Sequence, residues 1–202
     1  MDNFFSHENH PFPPSLSSFG QLRLGKKSDL MGCLEKHAVT VNNARPETDV
    51  SIMDGAVLVN MLKPGGCRTF GEYAEKVFVP NVKKEQNYAE RVDIVWDQYF
   101  DNSLKASTRE KRASGPSQRR RVVASSPIPK NWQKFRRLNS NKIELFQFLN
   151  NEMLSSASAE LPLVVTDDEN VLCVPARDVR NLSPCIQEEA ESRIFVHVAD
   201  AF

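Results

Sequence analysis

The sequence lacks the features that would place the chain in a membrane or in an oxidising compartment. No apolar run approaches the roughly 18 residues that a membrane-spanning helix needs, and the N-terminal stretch has neither the cationic start nor the apolar core of a signal peptide. We therefore expect an intracellular protein, nuclear or cytoplasmic, without a membrane partner. Its four cysteines are widely spaced and form no CxxC pair, which predicts reduced thiols and neither a zinc site nor a disulfide framework: Cys33, Cys67, Cys173 and Cys185.

The common catalytic signatures are also missing. The sequence contains no Walker loop, no GxGxxG, no HExxH and no catalytic triad pattern. Its formal net charge is zero, so any affinity for nucleic acid has to come from local basic patches. The candidate functional residues that remain are carboxylates at the ends of predicted elements and one basic segment.

By composition the chain divides into a leader and a main domain. Residues 1–48 begin with a proline- and serine-rich stretch and hold one short predicted helix at 28–37, so we expect a poorly ordered leader. From residue 49 to 202, apolar runs and helical periodicity predict an α/β domain with a mostly parallel central sheet. The predicted strands lie at 50–53, 92–96, 161–165 and 171–174, and the predicted helices at 56–62, 69–82, 131–155 and from Ser183–Pro184 onwards.

Several acidic residues stand where these predicted elements begin or end. Asp54 follows the first strand and Asp97 follows the second, so parallel pairing of the two strands would put both carboxylates at one sheet edge. Glu188, Glu189 and Glu191 crowd the start of the last helix, where the helix dipole by itself accounts for them. The functional interpretation of all five acidic residues is a Mg²⁺ or Mn²⁺ site, because these cations prefer carboxylate oxygens and support phosphodiester cleavage.

A basic segment follows Asp97. Residues 105–121 carry seven cations, interrupted by serine, glycine and proline, which predicts a flexible basic loop. Three interpretations stay open: an electrostatic clamp on a phosphate backbone, a nuclear localisation signal, or a solvated loop. The seven cations are Lys105, Arg109, Lys111, Arg112, Arg119, Arg120 and Arg121.

Two other polar features have structural interpretations. The acidic turn at 167–170 lacks the ligand spacing of a calcium loop, so we expect a solvated turn. His197 lies in the last helix beside a predicted apolar line of Ala190, Ile194 and Val198, and we expect a packed or surface histidine.

Three blocks of the sequence resemble PIN-like nucleases of the flap-endonuclease type: SIMDGAVLVNML, VDIVWDQYFDNSLKASTREKR and CIQEEAESRIFVHVADA. In that family a strand-borne Asp opens the site, a second strand ends in Phe-Asp-Gly before a Lys and an Arg-rich helix, and Glu-Ala-Glu starts a later helix. The resemblance implies a PIN-like three-layer fold. It also implies catalytic metal ligands at Asp54, Asp97, Glu189 and Glu191, and phosphate-binding residues at Lys105, Arg109 and Arg112.

The sequence departs from the family pattern at three places. Gln98 stands where the family has a glycine after the second Asp. Glu189 and Glu191 would lie about 200° apart on an ideal helix, so both can reach one cation only if Glu189 lies at the non-helical entry. The family's later strand with Asp-x-Asp has no counterpart before Phe202, so the resemblance implies a fold that is incomplete at the C-terminus.

The function expected from these observations is metal-dependent phosphodiester hydrolysis on nucleic acid, DNA or RNA, by a domain that truncation would inactivate. Two alternatives stay open: a non-catalytic module that binds nucleic acid or protein, and a degenerate mobile-element remnant without activity. The second alternative draws on a wider resemblance, from about residue 12 onwards, to animal proteins of unassigned function often found in repeat-rich genomes.

Overall fold

The computed structural model describes residues 17–19, 21–22, 27–37, 47–100, 118–158 and 160–202. The chain divides into two compact units, residues 1–44 and 45–202. In the first unit, Ser17–Ser18 (β1) pairs antiparallel with Gln21–Leu22 (β2), and the helix predicted at 28–37 is present as Lys27–Glu35 (α1). Most of the predicted proline-rich leader lies outside the described residues.

An open four-stranded sheet organises the second unit. Thr48–Asp54 (β3), Ala89–Val95 (β4) and Leu163–Asp167 (β5) run parallel in that order, and Asn170–Val174 (β6) pairs antiparallel with β5. The predicted α/β class with a mostly parallel sheet is therefore confirmed. The finer assignment to a PIN-like fold remains a prediction.

Helices connect the first two strands as the sequence predicts. Gly55–Met61 (α2) starts directly after β3. A continuous helical segment then consists of Phe70–Tyr73 (α3), a π-helical turn at Ala74–Phe78 and Val79–Glu85 (α4), and it leads into β4. Thr69 begins this segment, because its side chain accepts a hydrogen bond from the N–H of Glu72 at 3.2 Å.

The helix predicted at 131–155 is present as two helices, Trp132–Phe135 (α5) and Asn139–Ser156 (α6). The break has a local cause, because Leu138 takes an extended conformation with ψ of 124° and cannot continue a helix. Among the described helices, none combines the length and the apolar character that a membrane crossing requires.

The alternation of side chains along β4 separates the two faces of the sheet. Val92 and Ile94 are fully buried in the main hydrophobic core, against the helices at 70–85 and 139–156. Asp93 points to the opposite face, towards the last helix, Ala190–Ala201 (α7), which packs on β3 and β4. Helices thus cover both faces of the sheet.

A buried polar network holds α7 on the sheet. Asp93 and His197 are fully buried, and His197 Nδ1 lies 2.7 Å from Asp93 Oδ2. The guanidinium of Arg91 donates to both oxygens of Asp93, at 2.7 and 2.6 Å, and to Asp200 at 2.8 Å. His197 is therefore packed, one of the two outcomes expected for it.

The start of α7 differs from the prediction. The helix begins at Ala190 with Glu189 as its N-cap, so a cap at Ser183 with Pro184 in the first turn is wrong. The segment before Ala190 packs against the β5–β6 turn instead of forming helix. The N–H of Cys185 donates to the carbonyl of Glu169 in that turn at 2.7 Å. Of the predicted apolar line, Ala190 is buried and Ile194 and Val198 are half-buried. The other buried residues of α7 are polar, Arg193 and His197.

Candidate metal centre

The two aspartates that follow parallel strands lie at the same sheet edge, as predicted. Asp54 is the last residue of β3 and is paired in register with Val95, the last residue of β4. Asp97 follows two residues after Val95. Asp54 also caps α2, because its Oδ1 accepts a hydrogen bond from the N–H of Val57 at 2.9 Å.

Asp97 connects this sheet edge to the start of α7. Its Oδ1 accepts a hydrogen bond from the N–H of Ala190 at 3.0 Å, and the Tyr99 hydroxyl donates to its Oδ2 at 3.3 Å. One residue further on, the N–H of Gln98 donates to the carbonyl of Glu188 at 2.8 Å. Two backbone N–H groups, one from each segment, thus hold the residues after β4 against the residues that open α7.

Three carboxylates converge at this junction. One oxygen from each of Asp97, Glu189 and Glu191 lies within 4.8 Å of the others. Asp97 and Glu189 are half-buried, and Glu191 is exposed. Mg²⁺ holds oxygens at about 2.1 Å in octahedral geometry, so its ligand oxygens are at most about 4.2 Å apart. The exposed Glu191 side chain has the rotational freedom to close the remaining difference, and the donor set therefore fits a hard divalent cation.

The backbone of Glu189 explains how both glutamates reach Asp97. As N-cap, Glu189 has φ of −93° and ψ of 138°, which is extended, and Glu191 lies in the first helical turn. The condition set by the sequence, that Glu189 lie at the non-helical entry, is therefore met. Glu188, also a candidate ligand, is outside this group of three and contributes its carbonyl to the Gln98 hydrogen bond.

Asp54 shares the electrostatic field of this cluster without belonging to the group within 4.8 Å. Burial raises the pKa of the Asp54 carboxyl, and the charges of Asp97 and Glu191 raise it further, against the opposing hydrogen bond from Val57. Like charges crowded in a half-buried crevice repel one another. A bound divalent cation would relieve this repulsion.

Arg193 connects the segments that form the site, and no pattern in the sequence indicates this role. Arg193 is only 1% exposed, and burial lowers the pKa of its guanidinium. It donates to five oxygens, which belong to the residues after β4, the β5–β6 turn and the segment before α7. The acceptors are the carbonyls of Trp96, Asp168, Cys185 and Gln187 and the side chain of Gln98, at 2.6 to 3.1 Å.

A small cleft next to Asp97 brings in a third strand end. It has about 80 Å³ of space for water-sized molecules and is lined by Asp97, Asp167 and Asp168, among others. Asp167 is the last residue of β5, and burial together with the charge of Asp168 raises its pKa. The exposed turn predicted at 167–170 consists of Asp168 and Glu169, because Asp167 ends β5 and Asn170 begins β6. The sequence predicts Asp167 in a solvated turn, whereas it ends a parallel strand as Asp54 does.

The structure describes only the last part of the predicted basic loop. Arg119 pairs with Glu144 at 2.5 Å, and the N–H of Arg120 donates to the Asn141 side chain at 3.0 Å, so both are attached to the start of α6. Arg121 is exposed. Four candidate phosphate-binding residues lie outside the described residues: Lys105, Arg109, Lys111 and Arg112.

Comparison of the chain with models of protein families, with curated proteins and with solved structures finds no match in any of the three. Function therefore has to be argued from the site itself, because an α/β fold of this class supports many unrelated activities.

Proposed function

We propose that the carboxylates at this sheet edge bind Mg²⁺ or Mn²⁺ and that the domain hydrolyses phosphodiester bonds in nucleic acid. The observation that carries the proposal is the convergence of Asp97, Glu189 and Glu191, brought together from two distant parts of the chain. A bound divalent cation would supply charge neutralisation at the phosphate and activation of water. The resemblance of the three sequence blocks to PIN-like nucleases supports the same reaction class.

The chain's own residues have separable roles in this proposal. Asp97, Glu189 and Glu191 hold the cation, and Asp54 contributes a fourth carboxylate from the neighbouring strand end. The N–H of Ala190 fixes one oxygen of Asp97, which leaves the second oxygen oriented beside the Tyr99 hydroxyl. Arg193 keeps the three contributing segments in place.

The direct test is cleavage of end-labelled single-stranded and flap oligonucleotides with Mn²⁺ and with EDTA. We expect metal-dependent cleavage that Asp97→Asn reduces at least a hundredfold. Glu160→Gln is the matched control, because this exposed acid precedes β5 at the opposite end of the strand from Asp167. Equal cleavage by the wild type and Asp97→Asn would assign the activity to a contaminant and reject the proposal.

A second candidate is a module that binds nucleic acid without cleaving it. It is favoured by one specific observation: Asp54 accepts a capping hydrogen bond from α2 and Asp97 accepts one from the first N–H of α7. Both carboxylates thus have a structural role that needs no cation. This candidate predicts salt-sensitive oligonucleotide binding that persists in the Asp54→Asn/Asp97→Asn variant, with no cleavage by either protein.

A further inference from the structure

A basic stretch overlaps the end of the loop at 105–121 and continues to residue 143. Residues 118–143 contain eight cations and no aspartate or glutamate, in a chain whose formal net charge is zero. Such an imbalance over 26 consecutive residues concentrates positive potential locally. The cations are Arg119, Arg120, Arg121, Lys130, Lys134, Arg136, Arg137 and Lys142.

Part of this stretch forms a groove. The groove has a volume of about 430 Å³, and its cationic residues are Arg120, Lys130 and Lys134. None of its described lining residues is acidic, and within the described part of the chain no carboxylate pairs with Lys130 or Lys134. Both lysines are exposed, so their charge is available to a partner.

A buried side chain holds the groove in a defined shape. Asn141 is fully buried, and its side-chain amide donates to the carbonyls of Gln118 and Phe135 at 3.1 and 2.9 Å. Its oxygen accepts from the N–H of Arg120 at 3.0 Å. One buried side chain therefore fixes both walls of the groove and the backbone of its arginine.

The same helix leads from the groove to the acidic cleft. Asn141 anchors the groove, whereas Ile143 and Gln147 on α6 line the cleft beside Asp97. Positions 141 and 147 are about 9 Å apart along a helix axis. Lys142 lies between them, with its Nζ 3.9 Å from the centre of the Tyr99 ring. Since the Tyr99 hydroxyl contacts Asp97, Lys142 places one cation on α6 next to the residue that neighbours this carboxylate.

We propose that this basic groove, defined by Arg120, Lys130 and Lys134, binds the phosphate backbone of a single-stranded nucleic acid and directs it along α6 towards Asp97. Spaced, unpaired cations bind a polyanion by releasing its condensed counterions. Pro127 is exposed and Ile128 is half-buried, which places apolar atoms beside the cations, where the sugars and base faces of an unpaired strand can contact them. The direction towards Asp97 rests on the proposed function, whereas the binding itself needs no metal.

The test is fluorescence anisotropy of a labelled single-stranded oligonucleotide in EDTA over a series of salt concentrations. The variant is Lys130→Gln/Lys134→Gln, and the matched control is Lys83→Gln/Lys84→Gln, two exposed lysines at the end of α4 that do not line the groove. The logarithm of the binding constant falls with the logarithm of the salt concentration, and each lost phosphate contact makes this negative slope shallower by about 0.7 for a single strand. We expect the slope of the groove variant to be shallower than that of the wild type by about 1.4. The control variant should keep the wild-type slope and affinity.

Three results would overturn the proposal: unchanged binding in the groove variant, an equal loss in both lysine pairs, or tighter binding to vesicles of anionic lipid than to the oligonucleotide at equal salt. Thermal melting of each variant verifies that it is folded. Because the assay contains EDTA, it fails or succeeds independently of catalysis. If the wild type binds the oligonucleotide through the groove but shows no Mn²⁺-dependent cleavage, only the proposed hydrolysis is rejected. If it cleaves but the groove variant binds as tightly as the wild type, only the groove is rejected.

Discussion

Asp97, in the segment after β4, accepts a hydrogen bond at 3.0 Å from the backbone N–H of Ala190, the first residue of α7. The two residues are 93 positions apart. Because Ala190 stands between Glu189 and Glu191, this bond places both glutamates beside the aspartate. The candidate metal centre therefore depends on a helix start that meets a strand end.

Asp54→Asn is expected to leave the metal-free protein at least as stable as the wild type at neutral pH. Asn and Asp cap a helix about equally well. The change in stability is therefore set by the removal of the Asp54 charge, which the neighbouring acids repel. Burial and neighbouring acids raise the pKa of Asp54 above its ordinary 3.8, so the stability contributed by its protonated form is present below about pH 3.8 and is lost as pH rises through the folded-state pKa.

The measurement for Asp54→Asn is urea unfolding from pH 3 to pH 8 in EDTA. The free energy of unfolding of the variant should match that of the wild type at the acidic end and equal or exceed it at the neutral end. A variant that is clearly less stable at pH 7 and not at pH 3 would mean that the ionised carboxylate stabilises the fold, contrary to this account.

Asp93→Asn is expected to destabilise the protein by about 3–5 kcal/mol at neutral pH, because it removes one member of a buried charge network. Burial alone would raise the pKa of Asp93, but hydrogen bonds and charges from Arg91 and His197 outweigh it and hold the pKa below its usual range. The stability from ionised Asp93 is thus present above about pH 3.8 and lost as pH falls through the folded-state pKa.

Urea unfolding at pH 7 and in acid measures the effect of Asp93→Asn, and the difference from the wild type should shrink in acid. Asp178→Asn is the control, since Asp178 forms an exposed ion pair with Arg180 and its loss should change little. Similar effects from both substitutions would contradict the assigned role of the buried network.

Gly55→Ala is expected to cost about 1–3 kcal/mol through overpacking. A Cβ at Gly55 would lie 2.4 Å from the nearest ring carbon of Trp96, which is itself stacked on Phe146 with ring centroids 4.2 Å apart and has no room to move. Gly65→Ala is the control, since no heavy atom lies within 4 Å of its Cβ position. Thermal melting compares the two, and equal melting temperatures would show that Trp96 yields.

The sheet edge was predictable because its information is local. A short apolar run followed by aspartate occurs at Asp54 and again at Asp97, and the helical stripe between them predicts the parallel crossover that the register confirms. The helix from Phe70 was predictable for the same reason, since Phe70, Tyr73 and Phe78 recur at helical spacing and are fully buried.

The rest of the site depends on contacts between distant segments. The start of α7 at Ala190 follows from the hydrogen bonds of Cys185 to Glu169 and of Ala190 to Asp97, and no pattern within residues 183–190 encodes either. Arg193 and His197 are buried because their polar partners come from other elements, so two polar residues join Ala190 on the buried side of the helix.

The most direct test of the metal centre is Mn²⁺ binding followed by electron paramagnetic resonance and by thermal melting, in the wild type, Asp97→Asn, Glu191→Gln and Glu160→Gln. We expect the wild type and Glu160→Gln to bind Mn²⁺ and to gain about 2.7 kcal/mol of stability at a hundred times the dissociation constant. Asp97→Asn and Glu191→Gln should lose both effects while remaining folded. Absence of Mn²⁺ binding in the wild type, or equal binding in all four proteins, would contradict the account.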